Sequence, residues 1–233
     1  MRKHSGVFVS CEGGEGVGKT LFIDILSRHI KELGHSVVLT REPGGTLLGE
    51  QIRQLFNHAN GAAELAVEVE LFLLSAARAQ HVQEKILPAL ARGDWVLCDR
   101  FIDSTWVYQG ALKGFPMGES FLEETLRYST AGLEPDLTFL LDCPVDVSME
   151  RLKQRRGEGL QISMATRYDE ASKGFHEKLR LAYLSLMQKA PLRMKLIDVG
   201  SKAPDEILTE AVQHLQPLFE RTQQEKSVPR EPS

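Results

Sequence analysis

Gly13-Gly14-Glu15-Gly16-Val17-Gly18-Lys19-Thr20 is the stretch whose reading decides the fold. It satisfies G-x-x-x-x-G-K-[ST] at every fixed position. The glycines let the backbone curl until several N–H groups point at one spot. A helix that starts there adds its positive end, so the stretch suits the phosphates of a nucleoside triphosphate. Lys19 is placed to reach the β- and γ-phosphates, and the Thr20 hydroxyl to ligate Mg²⁺. The dinucleotide pattern G-x-G-x-x-G is excluded, because after Gly14 and Gly16 it needs a glycine where Lys19 stands.

Outward from this loop, short apolar runs alternate with helical patterns. Residues 6–11, 36–40, 95–99, 137–142 and 195–199 read as five strands, several nearly continuous in apolar residues, as strands covered on both faces are. Leu65, Val69, Phe72, Leu73 and Ala76 follow helical 3–4 spacing. So do Ile207, Leu208, Ala211, Val212, Leu215, Leu218 and Phe219, behind a start marked by Pro204, Asp205 and Glu206. Strands separated by helices imply right-handed crossovers and a parallel sheet in a three-layer α/β arrangement. With the loop at 13–20, the fold expected is the α/β three-layer P-loop NTPase fold, with a five-stranded parallel sheet flanked by helices. No linker divides the chain. One domain over 1–221 is expected, with a polar, proline-containing, disordered tail over 222–233.

The 233 residues are 42% hydrophobic and 26% charged, which fits one globular domain. No apolar run approaches the roughly 20 residues of a membrane helix, and the first residues lack a secretory pattern. Cys11, Cys98 and Cys143 are few, odd in number and set in apolar runs, which opposes a disulfide framework or a zinc site. A soluble, cytoplasmic protein is expected. The net charge of −4 speaks against nucleic acid or an anionic membrane as partner. It leaves room for a small polyanion held by a few local cations.

Those cations stand at strand ends. Arg41 follows the second strand in Thr40-Arg41-Glu42-Pro43-Gly44-Gly45-Thr46, and Arg100 follows the third in Asp99-Arg100-Phe101. Ligands of parallel sheets bind beyond the carboxyl ends of the strands, so both arginines belong on the side of the P-loop. Asp99 is expected to help hold Mg²⁺, and Arg100 to clamp a phosphate bidentately. Arg78 lies on the long third helix. A second arginine-lined anion pocket beside a triphosphate loop suits phosphoryl transfer between two nucleotides.

Four motifs in order, EGGEGVGKT, TREPGGT, DRFIDSTWVYQG and an arginine-bearing segment before RYDE, make the sequence similar to thymidylate kinases of the bacterial type over residues 6–220. The resemblance implies transfer of a phosphoryl group from ATP to dTMP with Mg²⁺, and a homodimer. It implies catalytic roles for Lys19 and Arg100. It sets Glu15 near the deoxynucleotide, and Arg41, Pro43, Arg78 and Arg100 around its monophosphate. Thr105 and Gln109 fall at positions contacting the thymine edge or the adjoining ribose and phosphate. Tyr108 matches a ring that leaves no space for a ribose 2′-hydroxyl. Two departures stand out. Leu74 occupies a position where the family often has a thymine-stacking Phe, and Phe101 one where Tyr or His is common.

Arg151, Lys153, Arg155 and Arg156 precede a glycine-containing stretch and then Arg167, which reads as a lid at about 151–169. The family draws its transition-state arginine from the P-loop or from the lid. Here the P-loop has Gly16, so the lid type is implied, with Arg155 and Arg167 favoured and Arg156 as the alternative. The helix from about 64 to 90 supplies either a dimer face or plain core. Competing readings are a kinase for another nucleoside monophosphate and an ATP-binding switch without transfer.

Overall fold

A computed structural model of the chain describes residues 4–57, 65–157, 168 and 171–227. Five strands form one sheet: β1 Val7–Glu12, β2 Val37–Arg41, β3 Trp95–Asp99, β4 Leu137–Asp142 and β5 Met194–Asp198. Every pairing is parallel, in the order β2-β3-β1-β4-β5. Val9 of the central strand faces Leu97 on one side and Leu137 on the other. All six residues of β1 are buried, which is why the run over 7–11 is small or apolar rather than alternating, ending on the buried Glu12.

Around the sheet lie α1 Lys19–Glu32, α2 Leu47–Asn57, α3 Val67–His81, α4 Leu87–Ala91, α5 Ile102–Thr105, α6 Glu119–Ser129, α7 Val145–Gly157, α8 Lys173–Lys189 and α9 Pro204–Ser227. Alternate β1 side chains feed two layers. Val7, Val9 and Cys11 pack with Leu26 and Ile30 of α1 and with Leu215 of α9. Phe8 packs on the opposite face with Val82, Ile86, Leu90 and Val96. The three cysteines are buried and free. Among the described residues no helix is long and apolar enough to cross a membrane.

Two wider-wound π turns interrupt the helices. Val82–Ile86 joins α3 to α4, and Trp106–Ala111 continues α5. Such turns recur at functional sites because they re-aim side chains. The second one carries Tyr108 and Gln109.

The sequence and the structure differ in two places. The apolar stripe that marks α3 does not face the core: Val69, Phe72 and Ala76 are exposed, while Glu70, Leu71, Ala77, Arg78 and His81 are buried. The polar residues turn inward because they have partners there, described below. The disordered tail expected from Thr222 is also corrected as far as Ser227, because α9 continues through it. Arg221 bonds the Asp136 carboxylate at 3.0 Å and the Gly6 carbonyl at 3.4 Å, and the buried Thr222 hydroxyl donates to the Phe219 carbonyl. These contacts hold the helix where composition alone argues for its end. Residues 228–233 lie outside the described set.

Candidate active site

The chain leaves β1 at Glu12 and turns through Gly13–Gly18 into α1. Gly16 and Gly18 take left-handed backbone angles, φ 76° and 97°. A Cβ on Gly16 would sit 2.3 Å from the Ser148 carbonyl, so the loop passes too close to α7 for any side chain there. Gly18 caps α1 with no side-chain hydrogen bond, and the first turn holds no acidic residue. Its N–H groups are therefore left for an anion. The Lys19 ammonium folds back onto the Gly13 and Gly14 carbonyls at 3.1 and 2.8 Å.

In front of the loop, at the carboxyl ends of β1, β2 and β3, lies a cavity of about 420 Å³. One wall is the loop itself, with Glu15, Gly16, Gly18, Lys19 and Thr20. The opposite wall carries Arg41, Pro43, Leu74 and Arg78. Asp99, Arg100, Thr105, Tyr108, Gln109 and Arg155 line it as well. Gly13, Gly14 and Val17 lie behind the loop, around a much smaller cavity. Arg167 lies outside the described residues, as does the Arg156 side chain.

Arg100 is the hub. Its backbone is left-handed (φ 69°). Nη2 donates to Glu15 Oε1 at 3.0 Å, while Nη1 donates to the Ser104 and Tyr183 hydroxyls, each at 3.0 Å. Tyr108 donates its hydroxyl to the same Glu15 oxygen at 2.7 Å, and its ring lies 5.3 Å from the Arg100 guanidinium. Behind this, Glu12 accepts from the Phe101 and Ser104 N–H groups and from the Ser104 and Tyr183 hydroxyls. Burial, with the Asp103 charge behind it, pushes the Glu12 carboxyl up to about 7. Burial, helped by the like charge of Arg100, pushes Lys19 down to about 8.

Gln109 is held by Glu70, which also pairs with Lys113. Arg41 is tied to Glu50 at 3.0 Å. Leu74 lines the cavity as an aliphatic wall. Phe101 is buried against Phe8, edge to face at 4.9 Å. Sequence reasoning missed Arg53, Phe56 and Ser104 in the cavity lining, and Tyr183 and Glu12 behind it. Arg53 carried a signal, an arginine seven residues after Thr46 on a helix that begins beside the pocket. Tyr183 carried none, since it arrives from α8, far along the chain.

Among the described residues Asp99 Oδ1 is buried without a hydrogen-bond partner. An orphaned carboxylate oxygen beside a phosphate loop fits a hard cation such as Mg²⁺. Among the described residues no cluster of three His, Cys, Asp or Glu side chains forms a metal site.

Residues 11–211 match the family model for thymidylate kinase. The chain belongs to the thymidylate kinase family. It is 44% identical over 202 residues to a thymidylate kinase of Desulfovibrio desulfuricans, covering 87% of this chain and 92% of the relative. The thymidylate kinase of Syntrophus aciditrophicus is 40% identical over 222 residues, 95% of this chain and 99% of that one. The crystal structure of thymidylate kinase from Ehrlichia chaffeensis superposes with a TM-score of 0.69 at 30% identity, covering 91% of this chain and 99% of that chain. The P-loop fold is thus that of the thymidylate kinase family.

Proposed function

We propose that this chain transfers the γ-phosphoryl group of ATP to dTMP, giving ADP and dTDP. One observation carries the reading: a single cavity is lined both by a triphosphate loop and by Arg41, Arg78 and Arg100, which come from three separate segments. A switch that only binds ATP has no use for the second set. The acceptor is a phosphate oxygen, mostly dianionic at neutral pH because its second pKa is about 6. No general base is required. The difficulty is to bring two polyanions into line and to neutralise the charge that spreads over the transferred group.

The roles follow from position. The loop N–H groups and Lys19 take the donor phosphates. Arg41, Arg78 and Arg100 take the acceptor, with Pro43, Leu74, Thr105 and Gln109 around its base and sugar. Tyr108, fixed by Glu15, excludes a 2′-hydroxyl by contact. Thr20 and Asp99 would hold Mg²⁺, which when bound offsets the phosphate charge. The segment at about 151–169 acts as the lid, with Arg155 and Arg167 supplying cations to the transferred group. The exposed Leu47, Leu48 and Leu55 on α2, Val69 and Phe72 on α3 and Phe121 on α6 support a homodimer through that face. A single monomeric species in light scattering would remove it. A cytoplasmic location suits the free cysteines.

The deciding assay follows ADP release with ATP and Mg²⁺, offering dTMP, dUMP, UMP, dCMP, dAMP and dGMP singly. dTMP should be strongly preferred, dUMP weaker and UMP nearly inert. Purine-directed activity would discard the acceptor pocket, and ATP binding without any product would restore the switch.

Lys19 gives a second expected result. Donor phosphates restore its ordinary basicity, so a group half-deprotonated near pH 8 in the empty cleft becomes fully charged in the complex. ATP binding should therefore take up protons at pH 8, and much less at pH 6.5, where Lys19 is already charged. Calorimetry in buffers of different ionisation enthalpy reads this directly. Heats independent of buffer at pH 8 would contradict it.

A further inference from the structure

Arg78 is 2% exposed and is held from several sides. Its Nε donates to Glu42 Oε2 at 2.7 Å, and Nη2 donates to Thr105 Oγ1 at 2.9 Å and to the Phe101 carbonyl at 3.3 Å. The Phe101 ring packs against the guanidinium at 5.4 Å. Among the described residues Nη1 is buried with no hydrogen-bond partner, in a residue that lines the cavity. This guanidinium is therefore aimed, and what aims it lies further in.

The second oxygen of Glu42 pairs with His81 Nδ1 at 3.0 Å, and His81 Nε2 meets the Thr40 hydroxyl at 2.6 Å. A carboxylate can only accept, so Nδ1 carries the hydrogen. The order hydroxyl, imidazole, carboxylate is that of a nucleophilic triad. Here it has no such use, since the imidazole is wholly buried and the carboxylate is already committed to Arg78. The imidazole also packs against the TREPGGT loop: a Cβ on Gly45 would lie 2.6 Å from its Nε2.

We propose that His81 is a positioning residue for phosphoryl transfer, fixing the Arg78 guanidinium in the acceptor half of the cleft through Glu42. The inference rests on reading that half as the dTMP site. Without the Nδ1 hydrogen, Glu42 Oε1 is left buried and unpaired. The carboxylate then rotates to find another donor, and Arg78 Nε loses its partner. Displacements of about 1 Å in a positioning group cost on the order of a hundredfold.

Three variants separate this from simple packing. His81→Asn keeps a donor where Nδ1 stands, His81→Gln keeps a polar group where Nε2 stands, and His81→Leu keeps neither. The KM for dTMP should rise on the order of ten- to a hundredfold in Leu and Gln. It should recover most of the way in Asn, with the KM for ATP little changed throughout. Glu42→Gln leaves one neutral carbonyl oxygen for the two donors that Arg78 and His81 present, and should raise the KM for dTMP alike. Combined with His81→Gln it should add little more, as for two members of one relay. Equal behaviour of Asn and Gln, parallel rises in both KM values, or additive effects in the double variant would overturn the inference. If His81→Leu fails to fold, the Asn and Gln pair decides. An unaltered chain with no activity on dTMP would take down the reading of the site and this inference together. An active one with Asn equal to Gln removes the inference alone.

Discussion

Replacing Arg100 with methionine should lower kcat/KM for dTMP on the order of 10³-fold, the scale of losing a charge-neutralising arginine in phosphoryl transfer. Methionine keeps the apolar stem and removes only the fork. Arg100→Lys should recover little, because one ammonium cannot serve Glu15, Ser104 and Tyr183 as the two Nη groups do. Stability should fall too. Arg100 is 15% exposed and its partner Glu15 4%, and breaking a buried pair costs about 3–5 kcal/mol. The loss has a pH signature through Glu12. Its carboxyl, already raised to about 7, rises further once Arg100 no longer favours the charged form. An acid whose pKa is raised on folding contributes stability at low pH and loses it as pH rises through that value. At pH 6 Glu12 is mostly protonated in both proteins, so the gap in thermal midpoint should be wider at pH 8 than at pH 6. Equal gaps at both pH values would argue against a charged Glu12 as the carrier, and turnover within tenfold of the unaltered chain would remove Arg100 from the transferring machinery.

At least one of Arg155→Ala and Arg167→Ala should cost on the order of 10³-fold in kcat, with much smaller changes in KM for either nucleotide. Arg155 lies near the end of α7 and lines the cavity together with Lys19 and Gly16. Arg151, one turn earlier, serves differently. Its guanidinium donates to the Val17 carbonyl at 3.4 Å and the Val199 carbonyl at 2.8 Å, fastening α7 to the P-loop. Single-turnover measurements of product formation would show the difference. If both single variants and the double variant leave turnover intact, the transition-state charge comes from elsewhere.

The five strands were legible because the buried centre of a parallel sheet admits only apolar or small residues, and such runs stand out. The P-loop was legible because its glycines fall at fixed spacing in one short stretch of sequence, before a lysine and a threonine. Arg41 and Arg100 could be placed on one side because strand ends share a side. The inward face of α3 could not be read. Hydrophobic periodicity points to Val69, Phe72 and Ala76, whereas burial goes to Glu70, Arg78 and His81, whose partners come from β2, the segment after β3 and the π turn. A polar residue turns inward when its partners are supplied, and partners distant in sequence leave no local mark. The same reason hid Tyr183, and it hid the continuation of α9, which depends on Asp136 and Gly6.

That last contact bears on how the molecule can be handled. Arg221 touches the Gly6 carbonyl at the amino end of β1, while the cleft opens at the strands' carboxyl ends. The first strand and the final helix therefore meet on the side turned away from the nucleotides. A short tether joining them, with the backbone cut open at a surface turn elsewhere, would yield a rearranged chain whose catalytic face is untouched. Anchoring the molecule to a bead or fusing it to a reporter at either of these positions would likewise leave the approach to both substrates clear.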